Sequence, residues 1–347
     1  MTRAVLHVKR AGPSVTIQDG GRPGLMRFGV PVSGPMDTFA HAAANTSLGR
    51  PQAAPTIEIS LGGLALTCAE SPVTVAICGG DFTIAHSGER AASWTVRTLG
   101  PGDTLTVSAG AWGSWCYLAF AGNLVAPSWL GSASTHVRSG LGGGMVVAGD
   151  RLVIESAEVE VAREGAIDQP LARPSSALRV VLGPQLERFA PNAADVLLGH
   201  PYRLTPAYDR MGVRLDGPSL QLHDALAIPS TPIVRGSLQV AGDGVATLLF
   251  ADHQTTGGYP KIATVISTDA ASATQLRSGD TVRFVALQPA EAVRIARAAA
   301  ANRTRRLATM ADRPGIAARR LLDANLIGGV FHHPAGQHPP THDGGAP

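Results

Sequence analysis

The sequence predicts a mainly β chain: two β-rich units with short helices and a C-terminal helical extension. Three observations lead there. Glycine and proline number 40 and 25 among 347 residues, a composition suited to many turns. Short apolar runs recur about every ten residues between turn signals, the spacing of a β-barrel or sandwich. Aromatic residues make up only 5% and charged residues 16%, while the hydrophobic fraction of 44% still suffices for real cores.

The first unit is placed at residues 1–165. Residues 5–8 read as a strand, and 16–35 as a glycine- and proline-rich loop. Asp37 then suits an N-cap, with Phe39, Ala40, Ala43 and Ala44 on one helical face and Gly49 and Pro51 closing the helix. Strands follow at 56–60, 65–67, 73–78, 83–85, 95–97, 105–107, 115–121 and 151–154. Residues 166–176 form a polar linker. The second unit, 177–288, places strands at 179–182, 202–205, 214–215, 233–240, 246–250, 262–266 and 281–284, and a short helix at 269–276. Asp243-Gly244 is a hairpin signal. The phrases GPGDTL, VAGDRL and RSGDTV all run from a Gly-Asp turn into a strand, which hints that the two units are alike. Pro289 starts an Ala- and Arg-rich helix to about Met310, and 316–326 a shorter one, giving an extension over 289–330. Residues 331–347 are poor in apolar side chains and are expected to be disordered.

Composition also bounds the partners. The net charge of +3 comes without a cluster of cations interleaved with aromatics, which argues against a nucleic-acid footprint. The arginines of the C-terminal helices, such as Arg303 and Arg306, read as a solvated face. Cys68, Cys78 and Cys116 lie in apolar runs with no ligand spacing, so buried free thiols are expected and a disulfide framework or zinc site is not. The opening residues MTRAVLHVKRAG lack an apolar leader core, and no run approaches the ~20 apolar residues of a membrane span. A cytoplasmic location is the expectation.

Four segments have the composition of a site. In QDGGRPG followed by GVPVSGPMD, a long irregular stretch ends at a helix N-terminus, where free N–H groups suit an anion; Ser33 and Gly34 precede it, and Arg22 could fork onto a carboxylate. The bland alternative is that Asp37 merely caps the helix and Asp19 pairs with Arg22 to pin the loop. The hydroxyls, Arg138 and glycines of SASTHVRSGLGGG could cradle an anion with backbone amides, or simply connect two elements. In YDRMGVRLDGP, Asp209, Arg210 and Arg214 flank Gly212 at a strand entrance. In ADHQTTGGYPKIATV, residues 252–260 are far more than a hairpin needs, and they are polar. Such a loop on a rigid sheet is typical of binding sites, though it could be only a polar loop. Asp252 would be a base or anchor, Gln254, Thr255 and Thr256 donors and acceptors, and Lys261 a lone ammonium. No nucleophile elbow, Cys/His pair or metal spacing is present. From the residues alone, two β-units bind a small anionic ligand through glycine-rich loops.

Together the four segments are more specific. QDGGRPGLMRFGVPVSGPMD, GSASTHVRSGLGGGMVVAGDRL, DRMGVRLDGP and ADHQTTGGYPKIATVISTD resemble, in order, the signatures of the biotin-dependent carboxyltransferase family. That family is also known as the 5-oxoprolinase C subunit, KipA or allophanate hydrolase subunit 2, and it includes the carboxyltransferase domain of urea carboxylase. The resemblance runs from about Val5 to Phe284, and LLDANLIGGV matches an extension of some members. Pro35 stands where Ala is usual in SGAMD, and Gly144-Met145 interrupts the usual GGLGR, so the Arg expected there is absent.

The resemblance implies two cyclophilin-like β-barrel domains. It also implies two partners, a KipI-like B subunit plus a barrel-type A subunit, with which the chain makes ATP-dependent 5-oxoprolinase and opens 5-oxo-L-proline to L-glutamate. ATP would act in the complex, on this chain or on a partner. Two alternatives follow from the same family: a carboxyltransferase component served by biotin on a separate carrier, and a non-enzymatic antagonist that sequesters a KipI-like kinase inhibitor. Carried over as catalytic are Lys261, Gln254, Asp252 and Asp19. Carried over as substrate-binding are Arg22, Ser33, Met36, Asp37, Arg138, Asp209, Arg210, Thr255, Thr256 and Tyr259. Gln18 belongs to the same motif. In these expected roles Arg138, Arg210 or Lys261 neutralises an oxyanion, Gln254 and Thr255 read an N–C=O unit, Asp252 or Asp19 serves as base or orienter, and Met36 and Tyr259 form apolar walls.

Overall fold

The computed structural model describes residues 2–169, 173–223 and 228–312. The expected second helix near 316–326 and the disordered tail lie outside the described residues. The first half forms two antiparallel sheets. One has seven strands, in the order Asn123–Leu124, Arg151–Glu155, Arg3–Ala11, Leu64–Cys68, Thr104–Ala109, Phe82–His86 and Glu89–Ala92. The other has six: Gly165–Ala166, Thr95–Leu99, Val73–Cys78, Cys116–Phe120, Thr56–Ile59 and Thr16–Gln18. Leu6, Leu66, Val107, Ile57, Ile77 and Leu118 fill the space between them, each at most 1% exposed.

The second half closes into a barrel of seven strands: Ala177–Leu182, Lys261–Val265, Ser237–Val240, Ala246–Leu249, Gly212–Asp216, Tyr202–Tyr208 and Thr281–Ala286. Parallel pairing of the first with the last completes the ring. Alternation sorts the side chains. Leu238, Val240, Ala246, Leu248, Val213 and Leu215 point into the core, which leaves Gln239, Thr247, Leu249 and Arg214 on the outside of three adjacent strands. Asp243-Gly244 turns the hairpin between Val240 and Ala246, as its sequence requires. The strand expected over 233–240 begins only at Ser237, because Gly236 adopts φ +89° and breaks the run.

One core joins the two halves. Helix α1 (Thr38–Ser47) packs its Ala40, Ala43 and Ala44 between the barrel and the outer face of the six-stranded sheet, where Ala76, Cys78, Tyr117 and Ala119 meet it. Burial on both faces is why Val73–Cys78 reads as an unbroken apolar run. Asp37 caps the helix, accepting from Phe39 N and Ala40 N at 3.0 Å each. Helix α2 (Ala193–Gly199), not anticipated from the sequence, is a short turn held by Leu197 in the core. Helix α3 (Ser267–Ala273) starts two residues earlier than expected, directly after the strand Lys261–Val265.

Helix α4 (Pro289–Ala311) buries Leu307 and Met310. Its arginines are not all solvated. Arg303 donates to Thr38 O at 3.0 Å and lies 5.8 Å from the centre of the Phe39 ring, so it docks α4 on the start of α1. The three cysteines are free and buried. Among the described residues no helix is long and apolar enough to cross a membrane.

His41 on α1 is 2% exposed and meets the Tyr117 ring edge-on at 5.7 Å. Burial lowers its pKa from 6.5 to about 4. The unfolded chain therefore binds a proton that the folded chain refuses between these values, and stability falls as pH drops through that window. The full loss is about 3 kcal/mol. Urea midpoints measured from pH 7 to pH 4.5 should decline, and His41→Leu should flatten this component; a decline unchanged by the substitution would contradict it.

Candidate functional site

The four sequence segments meet along the seam between the halves, and Arg210, in the third, bonds the first at Gly34 and the fourth at Asp252. It follows the strand Tyr202–Tyr208 and is 3% exposed. Its Nε and Nη2 fork onto Asp252 Oδ2 and Oδ1 at 2.9 and 3.0 Å. Nη1 donates to Glu58 Oε1, and Nη2 also donates to Gly34 O at 2.6 Å. Burial opposes the guanidinium charge, but Glu58 and Asp252 outweigh it and raise the pKa. Glu58 accepts in addition from Tyr117 Oη and Met36 N, both at 2.8 Å. Burial, with Glu58 next, pushes the Tyr117 phenol well up, so it stays a neutral donor. Asp252 is thus a buried ion-pair partner, not an accessible base.

The first segment is locked in place. Asp19 accepts from Ser132 Oγ (2.5 Å), Ala133 N (2.7 Å), Ser134 Oγ (2.7 Å) and Gly21 N (2.9 Å). Burial alone would raise its pKa, yet these donors hold it below the ordinary range. The hydroxyl-rich loop does cradle an anion with backbone and side-chain donors, and that anion is the chain's own Asp19. Its donors leave Asp19 no free role as a base.

Arg22 does not pair with Asp19 as the bland alternative expected. It donates to Trp129 O at 2.9 Å, Ser132 O at 3.2 Å and Ser134 O, with its guanidinium 5.1 Å from the centre of the Trp129 ring. Gln18 is fully buried and bonds Thr16 and Thr135. Ser33 is buried at φ +54°. Met36 has no exposed surface and cannot be a pocket wall; its backbone carbonyl accepts from Thr274 Oγ1 at 3.1 Å and from Arg235. Besides capping α1, Asp37 accepts from Gln275 Nε2 at 2.9 Å. These residues build the seam.

Beside the seam lies a groove of about 510 Å³ on the outer face of the barrel. Its floor is Gly212, Arg214, Gln239, Thr247 and Leu249, and Gln254 and Tyr259 overhang it. Asp209 and Met211 form one edge; Asp209 Oδ1 accepts from Met211 N at 2.7 Å and fixes that turn. Exposed Arg138 reaches from the first half to Met211 Sδ at 3.0 Å, so its charge stands at the rim. The overhanging loop is anchored at both sides. His253 is buried, and its Nδ1 donates to Gln254 O at 2.7 Å; burial lowers its pKa. Thr255 O accepts from Ile233 N at 3.0 Å, and the exposed Thr256 pairs with Pro232 in a two-stranded arm. Lys261 lies opposite Gln239 in register and gives its Nζ to Thr231 Oγ1 beneath that arm, where burial lowers its pKa.

Of the expected site residues, Gln254, Tyr259 and Asp209 line one cavity, with Arg138 at its rim. Glu58, Arg235, Gln239, His253 and Gln275 were not anticipated. Glu58 and Gln239 carried a signal: each is a long polar side chain in a buried strand, TIEI and SLQV, whose other residues are apolar or small hydroxyls. Among the described residues no group of three or more His, Cys, Asp or Glu could hold a metal ion.

The model of the carboxyltransferase domain, subdomain A and B, matches residues 28–286. The chain belongs to this family. It is 33% identical over 285 residues to the 5-oxoprolinase C subunit of Haemophilus influenzae, covering 81% of this chain and 91% of the relative. The Escherichia coli 5-oxoprolinase C subunit is 32% identical over 300 residues, with 84% and 94% covered. The urea amidolyase of Lachancea kluyveri is 28% identical over 306 residues, which span 80% of this chain and 17% of that protein. The solved urea carboxylase of Kluyveromyces lactis superposes with a TM-score of 0.77 at 25% identity, covering 89% of this chain and 29% of that one. The mainly β fold with its C-terminal barrel is thus the family's.

Removing the Arg210 cation strands two buried carboxylates. Arg210→Met should cost about 3–5 kcal/mol in urea denaturation, and adding Glu58→Gln and Asp252→Asn should recover a large part. A single substitution that costs under about 1 kcal/mol would show that the cluster does not hold the seam.

Proposed function

We propose that this chain is the C subunit of an ATP-dependent 5-oxoprolinase, which converts 5-oxo-L-proline to L-glutamate with A and B partner subunits. The observation that carries the reading is the near end-to-end match to two proteins of that name, 91% and 94% of whose lengths are covered. The groove is consistent with it. It has room for a compact amide, and Arg214, Gln239, Thr247 and the Gln254 carboxamide supply polar groups among its lining.

The overall reaction adds water across a lactam: the ring C–N bond breaks, the water oxygen joins the carbonyl carbon, and nitrogen takes a proton to become the amino group. An amide is a poor electrophile, and ATP supplies the activation by phosphorylating the lactam oxygen, with ADP leaving and a second water later releasing the phosphoryl group as inorganic phosphate. The residues around the groove do not make a nucleotide cradle. Lys261 is engaged by Thr231, and the hydroxyl-rich loop is filled by Asp19. In this reading ATP acts in the assembled complex, on this chain or on a partner. In this reading the chain binds and orients the lactam: Gln254 meets the amide, Tyr259 covers it, and Arg138 offers a charge to the substrate carboxylate.

A second reading, a carboxyltransferase served by a biotin carrier, is favoured by the superposition on the urea carboxylase, with its TM-score of 0.77 over 89% of this chain. Both substrates are small N–C=O units. Reconstitution separates the readings. The chain alone should be inactive; with A and B subunits it should give glutamate dependent on ATP and 5-oxoproline, insensitive to avidin. Gln254→Ala should lower kcat/KM by at least about tenfold. A well-folded complex without lactamase activity, or one inhibited by avidin, would count against the proposal.

A further inference from the structure

The groove wall contains a short relay of side-chain amides. Gln254 Nε2 donates to Gln239 Oε1 at 3.0 Å, and Gln239 Nε2 donates to Tyr259 O at 3.4 Å. The direction of this relay is fixed from one end. A backbone carbonyl only accepts, so the Gln239 atom facing Tyr259 O must be its NH2 group. The Gln239 oxygen then faces Gln254 and accepts only from nitrogen. Gln254 is thereby held in one of its two amide orientations. Gln239 is 6% exposed, set on the strand Ser237–Val240 whose neighbours Leu238 and Val240 are core residues, so its own freedom is small.

A second observation ties the loop's glycines to this pair. A Cβ added at Gly257 would lie 2.9 Å from Gln239 Nε2 and 3.3 Å from Gln254 Nε2. The missing side chain lets the loop settle directly on both amides. Both glutamines line the groove. With one hydrogen of Nε2 given to Gln239, Gln254 keeps its Oε1 and its other N–H, and among the described residues Oε1 accepts from no protein donor.

We infer that Gln239 is a positioning residue that sets Gln254 to read the edge of a cis-amide, an N–H beside a C=O. This rests on, and deepens, the lactam reading. A lactam presents that edge in a fixed cis geometry: its N–H meets Gln254 Oε1, and its C=O meets the remaining N–H. A lactam methylated on nitrogen has lost the donor and leaves Oε1 unpaired. The ring-opened product no longer holds the edge in place, which favours its release.

The test is binding to the full chain, measured by chemical-shift titration with 2-pyrrolidone and N-methyl-2-pyrrolidone. The native chain should prefer 2-pyrrolidone by about tenfold. Gln239→Leu should bring the preference below about twofold at an unchanged melting temperature, and the Gln254 amide hydrogens should exchange faster with deuterium. Gln239→Glu still accepts from Gln254 and should keep most of the preference, which a merely space-filling role would not do. An undiminished preference in Gln239→Leu, or no binding of either lactam by the native chain, overturns the inference. If the assembled complex lacks lactamase activity while this chain still selects the N–H lactam, the functional reading fails and the amide relay stands.

Discussion

The structure turns on one buried positive charge. A guanidinium at 3% exposure is tolerable only with its counter-charges and acceptors at hand, and Arg210 finds them in Asp252, Glu58 and Gly34 O. Those partners lie far apart in the chain. Glu58 is on a strand of the six-stranded sheet, Gly34 is in the loop before α1, and Asp252 begins the loop over the groove. The cost of leaving any of them unpaired in a dry seam forces the three into one arrangement. The ion pair is less a source of net stability than a device that specifies how the two halves register.

The groove inherits that register. Asp252 is the fixed end of the segment that carries Gln254 and Tyr259, so the overhang is referenced to the first half through Arg210. The rest of the seam is held by further polar side chains of the second half. Gln275 takes two backbone N–H groups, of Ser114 and Trp115, on its oxygen and gives its NH2 to Asp37 and Trp115 O. Arg235 and Thr274 both reach the Met36 carbonyl. Polar side chains from the barrel thus satisfy the backbone of the loop before α1, a stretch too irregular to satisfy itself. The same reasoning accounts for Asp19 and Arg22, which serve the loop at 129–134 as acceptor and donor. Much of the family's motif is therefore scaffold, and the residues that line the groove are the smaller share.

The sequence by itself determined the mainly β class, most strand positions, the capped helix after Asp37, the long helix from Pro289 and the buried thiols. All of these follow from local rules: turn residues, alternation and caps act over a few positions, so they are legible in a few positions. The motifs also marked segments that meet at the seam and the groove, including the polar loop at 252–260. Only the tertiary structure decided what each polar residue does. Asp252 and Asp19 read as bases, yet long-range partners consume them. Met36 read as a wall, yet it lies wholly inside the shared core. Glu58 and Gln239 had no local signal beyond a polar residue in a strand run, and Gln275 had none. Their roles arise from contacts across the fold, where burial makes each hydrogen bond obligatory and the partner's identity depends on how sheets, helix and barrel close around it.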